Sequence, residues 1–129
     1  MTPGRLVQAV LVATVLGSVS PCQFARAEDD PNQAQFLKSC GTCHSTEPGG
    51  PARQGPNLAG VFGRKAGKLE GFKYSAALAS ADWTWDSASL DKWIENAQAM
   101  RPGVVMPYRQ ADPDKRAKIV EYLKTMNAR

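Results

Sequence analysis

Cys40-Gly41-Thr42-Cys43-His44 brings two thiols and an imidazole together within one pentapeptide. This is the residue pattern of a c-type haem attachment site. Wound as a helical turn, residues three apart share one face, so both thiols can add to the two vinyl groups of one porphyrin while His44 turns its ring toward the iron. Gly41 and Thr42 are small enough to let a porphyrin edge come close to the backbone.

Other chemistries of the same residues ask for partners that this chain does not supply. A structural zinc site takes four protein ligands, usually from two separated pairs, and here there is one pair. The third cysteine, Cys22, falls in a leader-like segment. A redox dithiol of the thioredoxin kind needs a βαβ setting, and no alternating strand pattern flanks Cys40 and Cys43. A plain disulfide would leave unexplained why the single histidine of the chain, His44, directly follows the second thiol.

Residues 1–27 read as an export signal: Arg5 supplies positive charge, Leu6 to Val19 an apolar stretch, and Ala25-Arg26-Ala27 a small-residue exit. Cleavage there would make Glu28 the first mature residue, and the remaining part, 28–129, about 100 residues, has the size of one domain. The apolar stretch is interrupted by Gln8 and Pro21 and is short of the about 20 residues of a membrane span, so a periplasmic protein is expected in place of an anchored one. Formal charge is +4 for the whole chain and +2 once Arg5 and Arg26 leave, with dispersed basic residues and no aromatic-basic platform. Nucleic acid binding is not expected.

Something must position the pentapeptide, and three stretches read as helices. Asp30-Pro31 is a capping residue followed by proline at the first helical position, opening a helix that carries Phe36 and Cys40 on one face. A second begins near Asp86 or Ser87 with Leu90, Trp93, Ile94 and Ala97 at helical spacing. Asp112-Pro113 repeats the capping pair, and Ile119, Tyr122, Leu123 and Met126 mark a terminal amphipathic helix. A short helix over Ser75 to Ala79 is also compatible with the sequence. Between the pentapeptide and Tyr74 runs a stretch dense in glycine and proline, from Pro48 to Gly71, that excludes regular helix or central strand. A loop so long in a small domain needs an object to wrap around, and a flat cofactor supplies it. The expected fold is all-α: three main helices plus long Gly/Pro-rich loops around one covalently bound haem.

With no second histidine, the other axial ligand must come from elsewhere, and methionine is the usual partner. Met106 is the best candidate, since it sits in the non-helical segment Arg101-Pro102-Gly103-Val104-Val105-Met106-Pro107-Tyr108. Met100 ends the second helical pattern, and Met126 lies in an apolar helical stripe where methionine is core filler.

Taken together, CGTCH at 40–44, GPNLAGVFGRKAG at 55–67, GFKYSAAL at 71–78, WTW at 83–85, PGVVMPY at 102–108 and the terminal helix resemble the monohaem class I cytochromes c of the mitochondrial-like bacterial type. The resemblance implies thioethers at Cys40 and Cys43, axial ligation by His44 and Met106, and a Pro56 carbonyl that orients the imidazole. By the same resemblance Arg64, Tyr74 and Trp85 hold a haem propionate, and Phe36 and Tyr122 pack the first helix on the last. Val104 and Val105 stand where a threonine and a lysine are frequent in the family, and Leu78 replaces an asparagine. Trp93 replaces a tyrosine that reaches the methionine sulfur; it keeps one donor, the indole N–H, on a larger ring whose aim the sequence leaves open.

Two filled axial positions leave the iron nothing to do but gain and lose one electron, so the resemblance implies a periplasmic carrier and not an enzyme. The competing reading is a haem peroxidase or a gas or redox sensor with a labile Met106; the four-helix high-spin cytochromes are a poor match because their attachment motif lies near the end of the chain. Implied partners are redox proteins, such as a quinol-oxidising cytochrome complex, a terminal oxidase, a reaction centre or a periplasmic dehydrogenase, met by a monomer without membrane insertion. Lys38, Arg53, Lys65, Arg101 and Arg109 are the residues available for a basic rim, and with Val105 in place of a loop lysine a weak salt dependence of docking is expected.

Overall fold

Asp30 opens the first helix by accepting a hydrogen bond from the Asn32 backbone N–H at 2.9 Å, and Pro31 takes the first helical position, where its missing donor costs nothing. The computed structural model describes Met1 and residues 30–126; the expected export segment, apart from Met1, and Cys22 lie outside these residues. Helix α1 spans Pro31–Ser39, α2 Ala76–Ala79, α3 Ser87–Met100 and α4 Pro113–Thr125. Among the described residues there is no strand, only an isolated antiparallel bridge between Lys65 and Thr84. None of their helices is long and apolar enough to cross a membrane.

Each of the longer helices starts where a side chain can satisfy free backbone donors. Asp86 and Ser89 cap α3 reciprocally, and Asp112 accepts from the N–H groups of Asp114 and Lys115 ahead of α4. These bonds hold both carboxyls below the ordinary aspartate range, chiefly the bond from the Ser89 backbone in Asp86 and from the Lys115 backbone in Asp112. A depressed folded-state pKa means stabilisation that is complete above the unfolded value, about pH 3.9, and is lost as pH falls through the folded value. Asp86→Asn with Asp112→Asn keeps the acceptor oxygens and removes the charge. The double variant is expected to melt with a shallower pH dependence than the parent below about pH 4; identical slopes in both would show that the caps do not carry this part of the acid sensitivity.

Helix α3 is broken at Asn96, whose backbone is extended (φ −166°, ψ 93°). The Asn96 side chain repairs the break by accepting from the Ala99 N–H at 3.1 Å, so the last turn of α3 begins with its own cap. Apolar periodicity continues through the break and does not reveal it.

The helices meet through apolar stripes. Phe36 of α1 and Tyr122 of α4 have ring centroids 4.9 Å apart, and Ile119 beside them is fully buried. The α3–α4 contact includes Arg116, which is only 8% exposed. Its guanidinium donates to Asp91 at 2.7 Å and to the carbonyls of Gln110 and Ala111 at 3.0 and 2.9 Å. That side chain therefore fastens α4 to α3 and to the segment joining them. Residues 45–75 form the long loop expected from their glycine and proline content. It is tied down by backbone bonds from Gly63 to Trp85 and from Ala66 to Trp83, at 2.7 and 2.9 Å. The result is a shell of four helices, α2 being a single turn, and a loop around an apolar hollow.

Candidate haem site

The helical winding of α1 runs on past Ser39. Cys40 N–H donates to Phe36 O at 2.7 Å, Gly41 N–H to Leu37 O at 3.2 Å and His44 N–H to Cys40 O at 2.9 Å, which places Cys40, Cys43 and His44 along one wall of a cavity of about 400 Å³. Burial pushes the Cys40 thiol up to about 12, with Cys43 adding to the shift. A thiol so reluctant to ionise is the reverse of the activated thiolate of a redox dithiol. Among the described residues no group of three or more His, Cys, Asp or Glu side chains gathers to hold a metal ion. Cys43 Sγ lies 3.2 Å from Gln54 Oε1, to which it donates.

His44 is fixed by one hydrogen bond, Nδ1 to the carbonyl of Pro56 at 2.8 Å. A carbonyl only accepts, so Nδ1 carries the proton and Nε2 keeps its lone pair. Burial draws the His44 pKa below its ordinary value, opposed in part by that same bond. The ring is thus held neutral, in the tautomer a metal needs. Gly55 lies flat against it: a Cβ there would stand 2.3 Å from His44 Cε1.

Met106 reaches the same cavity from the segment after α3, and Trp93 Nε1–H donates to its Sδ at 3.1 Å. The larger indole therefore does aim its donor at sulfur, a point the sequence left open. Trp93 is held by an aromatic cluster in which Trp85 stands edge-on at 5.2 Å and Trp83 packs behind both. Of the other methionines within residues 30–126, Met126 is buried in the core and Met100 packs against it without reaching the cavity wall.

Arg64, Tyr74 and Trp85 all border the cavity. Arg64 donates to the carbonyls of Asn57 and Ala59, at 3.1 and 3.2 Å, and has no carboxylate partner among the described residues. Burial lowers its pKa, and burial raises that of Tyr74 against the opposing influence of Arg64 and a Leu69 backbone bond. A half-buried cation short of an anion suits the carboxylates of a haem. So do the apolar walls, the paired thiols, the neutral imidazole and the thioether, and the residues present fit one covalently bound haem.

Three parts of the site were outside the reach of the sequence reading. Gly55 was one glycine among many, Gln54 one polar loop residue, and Gln98 one polar position on a helix. In the structure Gln98 donates through Nε2 to the carbonyls of Val104 and Met106. Of the residues expected for a basic rim, Lys38, Arg53, Lys65 and Arg109 are exposed, Arg53 while donating to the Gly41 carbonyl, and Arg101 is half-buried and bonded to Ala77 O and Ser80 Oγ.

Comparison with known proteins follows the same lines. The cytochrome c family model matches residues 31–127. Cytochrome c-550 of Novispirillum itersonii is 41% identical over 104 residues, covering 72% of this chain and 94% of the relative. Cytochrome c2 of Rhodomicrobium vannielii is 35% identical over 122 residues, 93% of this chain and 98% of the relative, and cytochrome c2 of Blastochloris viridis is 37% identical over 112 residues, 86% of each.

Proposed function

The chain belongs to the cytochrome c family, and from that premise we propose a periplasmic one-electron carrier that holds its haem through Cys40 and Cys43 and ligates it with His44 and Met106. The observation that carries the reading is the meeting of His44 and a Trp93-held Met106 sulfur in one apolar cavity with both cysteines. Haem c, when bound, supplies an iron that takes up and gives back one electron. The chain's own residues do the rest. Pro56 orients His44 and keeps its Nε2 lone pair free. Trp93 positions the thioether, whose second lone pair remains for a metal. Leu78, Trp85 and Val104 exclude water from the wall, and Arg64 with Tyr74 offers a cation and a phenol to buried carboxylates. With His44 and Met106 both given to the iron, a bound haem would keep no open position for a substrate, which favours a carrier over a peroxidase or gas sensor.

Export of residues 1–27, cleavage before Glu28 and exchange with redox proteins complete the proposal. Lys38, Arg53, Lys65 and Arg109 of the expected rim are exposed, while Val105 beside the ligand is 82% exposed and uncharged. Without a charge at Val105, steering is weaker than in a relative with a lysine there. Material purified from periplasm should keep its haem on the denatured polypeptide, titrate reversibly as a single-electron couple, and exchange electrons with a partner at rates that fall no more than a few-fold between low and moderate salt. Rapid peroxide turnover by the native ferric protein would replace this reading with the enzymatic one.

A further inference from the structure

The segment that brings Met106 to the cavity has little regular backbone bonding of its own. Val104 N–H reaches Arg101 O only at 3.4 Å, and the next firm backbone bond is Gln110 N–H to Ile94 O at 2.9 Å. Between these points the chain alternates as an extended strand does: Val104 is 5% exposed and Val105 82% exposed, while Met106 turns back to the cavity. In such a segment the carbonyls of residues two apart face the same way. One side-chain amide, with two N–H donors, can therefore hold both.

Gln98 is that amide. It stands half-buried on the last turn of α3, beyond the break at Asn96, and its Nε2 donates to the carbonyl of Val104 and, at 3.4 Å, to that of Met106. The turn in between is secured separately. Arg101 donates to Ala77 O at 3.0 Å and to Ser80 Oγ at 2.9 Å, and Gly103 adopts φ +91°, where a side chain would be strained and its Cβ would press on Ala77. The segment is thus held by Trp93 at its sulfur, by Gln98 at its carbonyls and by Arg101 at its origin.

We propose that Gln98 is a positioning residue for the Met106 ligand, locking the two carbonyls on either side of Val105 to the end of α3 so that the sulfur stays in the cavity in both oxidation states. The proposal rests on Met106 being an axial ligand. The ferric state needs the lock most, because a soft thioether is a poorer ligand for the more highly charged iron and competes less well with harder ligands. Gln98 touches neither the iron nor the reacting electron; it acts through the loop backbone.

The test is an imidazole titration of the ferric holoprotein, read by loss of the far-red sulfur-to-iron absorption band. Gln98→Ala removes the amide, and Gln98→Glu keeps its shape without its donors. Both are expected to bind imidazole about five- to tenfold more tightly than the parent, the order of effect of one lost hydrogen bond on the competing ligand. Val120→Ala, a core truncation away from the cavity wall, lowers stability and should leave imidazole affinity within about twofold, because an opening confined to the ligand loop is independent of core unfolding. Equal affinity in Gln98→Glu and the parent overturns the proposal, as does an equal rise in Val120→Ala. A parent protein without the far-red band would instead overturn Met106 ligation, and this proposal with it.

Discussion

Met106→Ala is expected to abolish the far-red sulfur-to-iron band, open the iron to imidazole and cyanide, and lower the reduction potential by a substantial part of the roughly 0.8 V range that axial ligands span. The direction follows from the thioether. A neutral, soft sulfur donor favours the ferrous state, and the water that would replace it favours the ferric one. The variant also strands the Trp93 indole N–H, which in the parent donates to Sδ at 3.1 Å. A buried donor left without an acceptor costs about 1–3 kcal/mol. Water entering the vacated space would relieve that cost, so the variant should bind water beside Trp93 and melt only modestly lower. Met100→Ala serves as the control, since Met100 does not reach the cavity wall. Its band and potential should match the parent. An intact band in Met106→Ala, or its loss in Met100→Ala, would move the ligand to the other methionine.

What the sequence made legible were features whose signal is local. Asp30-Pro31, Asp86 and Asp112-Pro113 begin helices because capping is chemistry within one turn, and all three caps are made in the structure. The apolar stripes of α3 and α4 came from periodicity, and Leu90, Trp93, Ile94, Ile119 and Tyr122 are buried as it required. Met106 stood out because its segment could not be helical. The features that stayed hidden depend on partners distant in sequence. Whether Trp93 reaches sulfur depends on its rotamer, which is set by Trp85 and Trp83 packing against it. Nothing local marks out Arg116 in the sequence, yet the carbonyls of Gln110 and Ala111 and the carboxylate of Asp91 draw it into the α3–α4 contact. Asn96 interrupts α3 without interrupting the apolar pattern, since Ala97 just beyond the break is buried as Ile94 before it is.

Gly55 is the sharpest instance, and it carries the second large expected effect. Gly55→Ala would put a methyl carbon 2.3 Å from Cε1, 2.7 Å from Nδ1 and 2.8 Å from Nε2 of the His44 ring. Neither side can yield cheaply. The backbone of Gly55 is pinned by its N–H to Cys43 O at 2.8 Å and by its carbonyl, which accepts from Arg53 N–H at 3.0 Å. The imidazole is pinned by Pro56 on one nitrogen and, in the ligated protein, by a metal on the other. Overpacking at a site that cannot relax lies at the upper end of the usual cost, about 3 kcal/mol. In a domain of this size that is a fall of about 10–20 °C in Tm. The ring must also tilt off the Pro56 carbonyl, so the variant should show an altered ferric ligand-field spectrum alongside its lower Tm. Gly60→Asn makes a fitting comparison, because nothing lies within 4 Å of a Cβ at Gly60 and asparagine tolerates its backbone conformation. A Gly55→Ala protein that matures normally and melts within a few degrees of the parent would mean that the imidazole is not held where Pro56 and Gly55 together place it. Among so many loop glycines only the fold distinguishes this one, since the atom that forbids a side chain there belongs to a histidine eleven residues earlier in the chain.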